Sequence, residues 1–235
     1  MGSSGCGGSG GTGGGQAQLP FADRQAGGRE LAARIAALVE DHRVVVLGLP
    51  RGGVPVAYEV ANALGCPLDV FVVRKLGVPG HEELALGAVA SGGAVAMNEG
   101  VVRRYGPGRE VLDSIVARGL AEIRAAEARY REGREPLPVA GRTVVLVDDG
   151  LATGATMRAA VAAVRSLDPR WVVAAAPVGS AQACDDLRSL ADDVVCAATP
   201  DPFIAVGAWY RDFEPVSDAD VRRFLGEPPS GQIYQ

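Results

Sequence analysis

The sequence predicts an α/β domain: a parallel, Rossmann-like sheet flanked by helices, with an inserted hairpin and helix lid. Two observations carry that expectation. Short apolar runs at 44–47, 68–73 (with Asp69 inside it), 144–147 and 171–176 have the pattern of strands buried on both faces. Segments with helical apolar spacing lie between them, and charged residues or glycines follow the first three runs, at the sheet edge where such folds bind ligands.

The 235 residues are enough to bury a full core. A net charge of -5 argues against a nucleic-acid surface, and no apolar run is long enough for a membrane span. Cys6, Cys66, Cys184 and Cys196 lack metal-ligand spacing and read as reduced thiols of a cytoplasmic protein. Two histidines, His42 and His81, argue against a His-rich metal site. Residues 1–18 are Gly/Ser-rich and expected to be disordered, without the features of a signal peptide. The expected domain spans 19–227, with the lid insertion at about 76–138 and a flexible tail over 228–235.

In chain order, Leu31, Ile35, Leu38 and Val39 predict a helix over 23–40. A strand over 44–47 ends in Gly48-Leu49-Pro50-Arg51-Gly52-Gly53, and a helix over 54–64 follows, with Pro55 tolerated in its first turn. Arg51 therefore occupies a tight loop beside glycines that admit a ligand to the backbone. The next strand, 68–73, ends in Arg74-Lys75. Residues 76–84 (LGVPGHEEL) read as a mobile loop, with His81, Glu82 and Glu83 as candidate proton-transfer groups. A hairpin about Ser91-Gly92-Gly93 is expected over 85–99. An amphipathic helix is expected over 107–132, burying Val111, Leu112, Ile115, Leu120 and Ile123. This insertion is expected to build a lid or dimer surface.

Thr143 to Met157, TVVLVDDGLATGATM, is the centre of the chain. A buried strand stops at Asp148-Asp149; then Gly150 and Thr153-Gly154-Ala155-Thr156 lead into an alanine-rich helix. A strand, a Gly-containing loop and a helix N-terminus make an anion site, to which Thr153 and Thr156 add hydroxyls. No Lys precedes Thr156, so this is not a Walker A loop. Carboxylates repel phosphate and should face hydroxyls or a cation on the same ligand. A phosphate close to a diol describes a ribose 5-phosphate. Beyond this block come a strand over 171–176, a helix over 181–190, a strand over 193–197 and a short helix over 217–225.

VVLVDDGLATGATM resembles the phosphoribosyl-pyrophosphate (PRPP) motif of type I phosphoribosyltransferases, in a form similar to that of the adenine enzymes. The resemblance implies that Asp148 and Asp149 hold the ribose hydroxyls and act in catalysis. It also implies that Gly150, Ala152, Thr153, Gly154, Ala155 and Thr156 wrap the 5-phosphate. Enzymes of the hypoxanthine type carry an Asp where this chain has Ala152, so that proton-transfer role is vacant or filled elsewhere. LPRGGVPVA is similar to the pyrophosphate loop of xanthine-guanine enzymes, and VVRK to a strand-end RK of orotate enzymes. By these likenesses Arg51, Gly52, Gly53, Arg74 and Lys75 bind pyrophosphate, with Arg51 and Lys75 also catalytic. Pro177-Val178 falls at a strand end where hypoxanthine-type enzymes use a nearby lysine, absent here, to read the purine. The segment 203–213 faintly resembles a base-binding stretch of hypoxanthine-guanine enzymes. Together these likenesses make Val178, Trp209 and Tyr210 base-binding candidates.

The family reaction implies transfer of phosphoribosyl from PRPP to a nitrogenous base with release of pyrophosphate. It implies Mg²⁺, carried mainly by PRPP, with Asp148 and Asp149 as the protein's own candidate ligands. The expected partners are PRPP and a nucleobase, and the expected assembly is a homodimer. Two alternatives stay open: a PRPP- or nucleotide-binding regulatory sensor, and a hydrolase of phosphoribosyl compounds. The transferase reading requires the acids and the cations to converge on one pocket.

Overall fold

The computed structural model describes residues 17–39 and 43–226. The tail expected over 228–235, all but two residues of the leader, and the expected helix end at Glu40 lie outside the described residues. The strands are β1 (Val44–Gly48), β2 (Leu68–Val70), β3 (Val73–Val78), β4 (His81–Ala90), β5 (Val95–Met97), β6 (Thr143–Val147), β7 (Trp171–Val178) and β8 (Asp193–Ala198). The helices are α1 (Arg24–Ala36), α2 (Gly53–Leu64), α3 (Glu99–Tyr105), α4 (Arg109–Arg131), α5 (Ala155–Arg165), α6 (Ala181–Leu187) and α7 (Asp218–Gly226).

β1, β2, β6, β7 and β8 form a parallel sheet in the order β2-β1-β6-β7-β8. Successive strand residues point to opposite faces, so the apolar runs divide by parity. Val45, Leu47, Val144, Leu146, Val172 and Ala174 pack with Met157, Val161 and Val164 of α5 and Leu187 of α6. Val44, Val46, Val145, Val147, Val173 and Ala175 pack with Leu31 and Ile35 of α1 and Val56 and Val60 of α2. A strand covered on both faces has no polar side to alternate with, which is why each run is continuously apolar.

The insertion between β2 and β6 is a second, antiparallel sheet, β3-β4-β5, backed by α3 and α4. Leu76, Val78, Leu86, Val89 and Ile123 form its core, with Leu112, Ile115 and Leu120 against it. Three expectations change here. The strand expected over 68–73 breaks at Phe71-Val72, where Val72 N–H donates to Ser91 Oγ (2.9 Å) and Ser91 N–H to the Val72 carbonyl (2.9 Å). The mobile loop expected over 76–84 is a paired hairpin turning at Pro79-Gly80. Val111, expected in the buried face of α4, is 49% exposed; one residue before Leu112, it is turned about 100° off the packed stripe.

Candidate functional site

β1 leads to β2 on one side of the sheet, and β6 leads to β7 and β8 on the other. The order reverses between β1 and β6, and the crevice beyond their carboxyl ends is the fold's natural ligand position. Two loops meet there. Leu49, after β1, donates its N–H to the Val147 carbonyl at the end of β6 (2.8 Å). A Cβ on Gly52 would stand 2.0 Å from Asp149 Oδ2, and one on Gly53 would stand 2.5 Å from the Val147 carbonyl oxygen. Only hydrogen fits at either position, so the two glycines are what allow the loop to touch the acidic pair.

The two acids stand in different surroundings. Asp148 Oδ1 accepts the Asp149 N–H (2.9 Å). Burial, then the adjacent charge of Asp149, pushes the Asp148 carboxyl well above the usual carboxylate range, against the pull of Arg24. Asp149 Oδ2 accepts from Arg24 Nε (2.8 Å). The Arg24 guanidinium lies 3.8 Å over the Phe213 ring and donates to the Glu214 carbonyl (2.8 Å). Phe213 stacks on Tyr210 (5.1 Å), whose hydroxyl donates to the Asp149 carbonyl (2.6 Å). Arg24, Phe213 and Tyr210 thus close a ring of contacts that holds Asp149 by side chain and backbone.

Sequence reasoning missed Arg24 altogether: it lies 125 positions from its partner, in the first turn of a helix that carried no motif. Arg24→Ala is expected to cost about 2 kcal/mol, the worth of a largely buried charged hydrogen bond. It is also expected to push Asp148 further up, since Arg24 opposes that rise. Urea denaturation and NMR titration of the carboxyl check the two effects.

The loop after the acids ends at α5. Gly154, the cap residue, has φ 66°, and no side chain caps the helix. Among the described residues, the side-chain acceptor for its first amides is Thr153 Oγ1, from Ala155 N–H at 3.4 Å. The first turn is therefore open to an anion, and Ala152, Thr153, Ala155 and Thr156 are exposed around it. Struts hold the loop from behind. Ser180 Oγ donates to the Ala152 carbonyl (2.8 Å), Ser180 N–H to the Leu151 carbonyl (2.8 Å), and Arg158 Nη1 to the Thr153 carbonyl (2.6 Å).

The family model described as the phosphoribosyl transferase domain matches residues 21–209. The chain belongs to that family. It is 48% identical over 205 residues to a protein of Mycobacterium tuberculosis (strain H37Rv) that carries a provisional phosphoribosyl transferase name, with 87% of this chain and 46% of that protein covered. It is 37% identical over 119 residues to the bifunctional protein PyrR of Chloroflexus aurantiacus, covering 50% of this chain and 59% of that one. The chain thus spans about half the length of the curated relatives it matches. The crystal structure of TT1426 from Thermus thermophilus is 46% identical, with a TM-score of 0.80 over 88% of this chain and 98% of that one. The parallel sheet and its flanking helices are the family's fold.

Within this family member the other expected residues are placed less simply. Arg51 belongs to the loop at the acids, but its guanidinium reaches Asp218 of α7 (3.5 Å). Arg74 and Lys75 do not end a parallel strand; they lie within β3 of the antiparallel sheet. Arg74 pairs with Glu122 of α4 (2.5 Å). Lys75, the chain's single lysine, lines a cavity of about 580 Å³ with Ala155, Thr156 and Arg158 of α5 and with Met97 and Asn98. His81, Glu82 and Glu83 are exposed on the hairpin arm.

The three base-binding candidates occupy different surroundings. Val178 is fully buried and pairs with Ala198, because the strand runs two residues longer than its apolar pattern suggested. Tyr210 is buried between Phe21 and Phe213 as part of the Asp149 brace. Trp209 is half-buried, and its indole N–H is the one buried side-chain polar atom without a partner among the described residues.

Proposed function

We propose that this chain is a phosphoribosyltransferase that takes PRPP and Mg²⁺, transfers phosphoribosyl to a nitrogenous base and releases pyrophosphate. The observation that supports it best is the contact between the Gly52-Gly53 loop and the Asp148-Asp149 pair, beside an open helix N-terminus. In this reading Gly150, Ala152, Thr153, Gly154, Ala155 and Thr156 hold the 5-phosphate. Asp149, oriented by Arg24, accepts from one ribose hydroxyl, while Asp148, held up as a neutral carboxyl, donates to the other. Passing its proton to an oxygen of the departing pyrophosphate as positive charge builds on the sugar, Asp148 would leave a carboxylate that stabilises an oxocarbenium-like state. That assigns to Asp148 part of the proton chemistry for which Ala152 has no group.

The Gly52 amide, Arg51, Arg74 and Lys75 face the pyrophosphate in this proposal, while the Gly53 N–H is held by the Leu49 carbonyl (3.0 Å). The Arg51–Asp218 pair is exposed and worth at most about 1 kcal/mol, so Arg51 can turn to a charged ligand. Trp209, with its free indole N–H, is the remaining base-side candidate.

Among the described residues no group of three or more His, Cys, Asp or Glu could hold a metal. Asp149 is also engaged with Arg24, so the residues suit a Mg²⁺ carried on PRPP oxygens, with Asp148 and Asp149 beside it. When bound, the ion would neutralise charge on the departing pyrophosphate. A cytoplasmic homodimer belongs to the same proposal; among the described residues no helix is long and apolar enough to cross a membrane. Pyrophosphate release from PRPP and Mg²⁺, followed across a panel of nucleobases, tests the reading. Release that depends on one base supports transfer. Release without an acceptor makes the chain a hydrolase, and binding without turnover makes it a sensor.

A further inference from the structure

Two of the cysteines that look unrelated in sequence meet directly behind the phosphate loop. Cys184 lies in the first turn of α6 and Cys196 on β8, both packed into the same core cluster. A Cβ on Gly179 would stand 3.0 Å from Cys184 Sγ and 3.1 Å from Cys196 Sγ, so the sulfurs converge over one glycine. The two thiols hydrogen-bond each other. Cys66 belongs to the core on the opposite face of the sheet.

Gly179 and Ser180, on which the sulfurs rest, are the supports of the phosphate loop. Gly179 N–H donates to the Ala198 carbonyl on β8 (3.1 Å), and Gly179 bridges to Leu151. Ser180 holds Leu151 and Ala152 through its N–H and Oγ, and its carbonyl accepts the Cys184 N–H (3.1 Å). Any change in sulfur spacing therefore acts on residues bonded to the loop at 151–152.

We propose that Cys184 and Cys196 are a redox modification site: a peroxide-class oxidant joins them in a disulfide that displaces the phosphate loop. One thiolate attacks a peroxide oxygen, the O–O bond breaks, and the sulfur becomes a sulfenic acid with release of hydroxide. The second thiol then attacks that sulfur, forming the S–S bond, and its proton leaves with the hydroxyl as water. The hydrogen bond from Cys196 holds the Cys184 thiol below its ordinary value, against the effect of burial, which makes Cys184 the first nucleophile. Closing thiol contact to a bond of about 2.05 Å draws α6 and β8 together across Gly179.

Hydrogen exchange and peptide mapping of the full chain, before and after hydrogen peroxide, test this. Trypsin cuts at Arg188, between the two cysteines, so the disulfide leaves peptides 171–188 and 189–211 joined until reduction. The expected result is that linkage, together with faster amide exchange over 151–156, both reversed by dithiothreitol and both absent in Cys184→Ser. Absence of the linkage at peroxide concentrations that oxidise a free thiol overturns the proposal. So does a linkage that leaves exchange over 151–156 unchanged. PRPP affinity adds an arm that rests on the function proposed above: oxidation should weaken it about ten-fold. If exchange responds while neither form binds PRPP, the disulfide stands and the ligand assignment fails.

Discussion

Asp148→Asn is expected to make the unliganded protein more stable while removing most of its turnover. Burial and the charge of Asp149 raise the Asp148 carboxyl to about 8, so ionising it costs folding energy. A group raised in the folded state contributes its stability fully below its unfolded value, about 4, and loses it as pH climbs through the folded value. Wild type therefore loses stability between about pH 4 and 8, and asparagine, which cannot ionise, does not. The melting temperatures of the two proteins should nearly coincide at pH 4.5. At pH 8.5 asparagine should lead by several kcal/mol, since each pH unit of that window carries about 1.4 kcal/mol. That lead is on the order of 10 °C in a domain of this size.

Base-dependent pyrophosphate release should meanwhile fall about 10²–10³-fold, the usual effect of removing one group that stabilises a charged transition state. Asp149→Asn should behave differently, losing stability as well as activity, because Arg24 is then left largely buried with only the Glu214 carbonyl and the Phe213 face. If Asp148→Asn leaves turnover intact, Asp148 is a structural acid and the proposed chemistry is wrong.

The contrast between those two acids shows what the sequence could and could not say. The Asp148-Asp149 block was legible because everything it needs is local: a strand, a loop and a helix start within fifteen residues. The central parallel strands were legible because double-faced burial leaves an unbroken apolar run, whereas the edge strands β2 and β8 each contain an aspartate. That same rule hid the break at Phe71-Val72. Val72 and Val73 continue the apolar run although Val73 already belongs to the second sheet, and so Arg74 and Lys75 were assigned to the wrong strand end. Pro79-Gly80 and the polar run His81-Glu82-Glu83 resemble a loop, but they are the tip and outer arm of a hairpin. The aromatic segment near Tyr210 had a use that the sequence did not show: Tyr210 and Phe213 brace Asp149 and Arg24. Arg24 had no local signal, since its partners Asp149 and Phe213 are distant in the chain.

The largest loss of stability should come from Arg131→Ala, far from the acids. Arg131 is 6% exposed, and its Nε donates to Asp69 Oδ1 (2.9 Å) and Oδ2 (3.1 Å). Its other nitrogens reach Glu127 Oε1 (2.6 Å) and the Val70 carbonyl (3.2 Å). Asp69, equally buried, also accepts the N–H groups of Val70 (2.7 Å) and Leu137 (3.0 Å). This network ties the end of α4, and with it the whole insertion, to the edge strand β2. Alanine would leave the Asp69 charge buried with backbone donors alone, a cost of about 3–5 kcal/mol and a large part of an ordinary domain's stability. Urea unfolding measures it. Combining Arg131→Met with Asp69→Asn removes both charges but keeps an oxygen for only one of the Val70 and Leu137 amides, which bond different oxygens of Asp69, and should recover part of the loss. Recovery would locate the cost in the uncompensated carboxylate; failure to recover would show that the guanidinium's bond to the Val70 carbonyl and its packing carry the joint. The consequence reaches the proposed site through Arg74 and Glu122, which fix β3 to α4 and so set where Lys75 stands beside the α5 N-terminus.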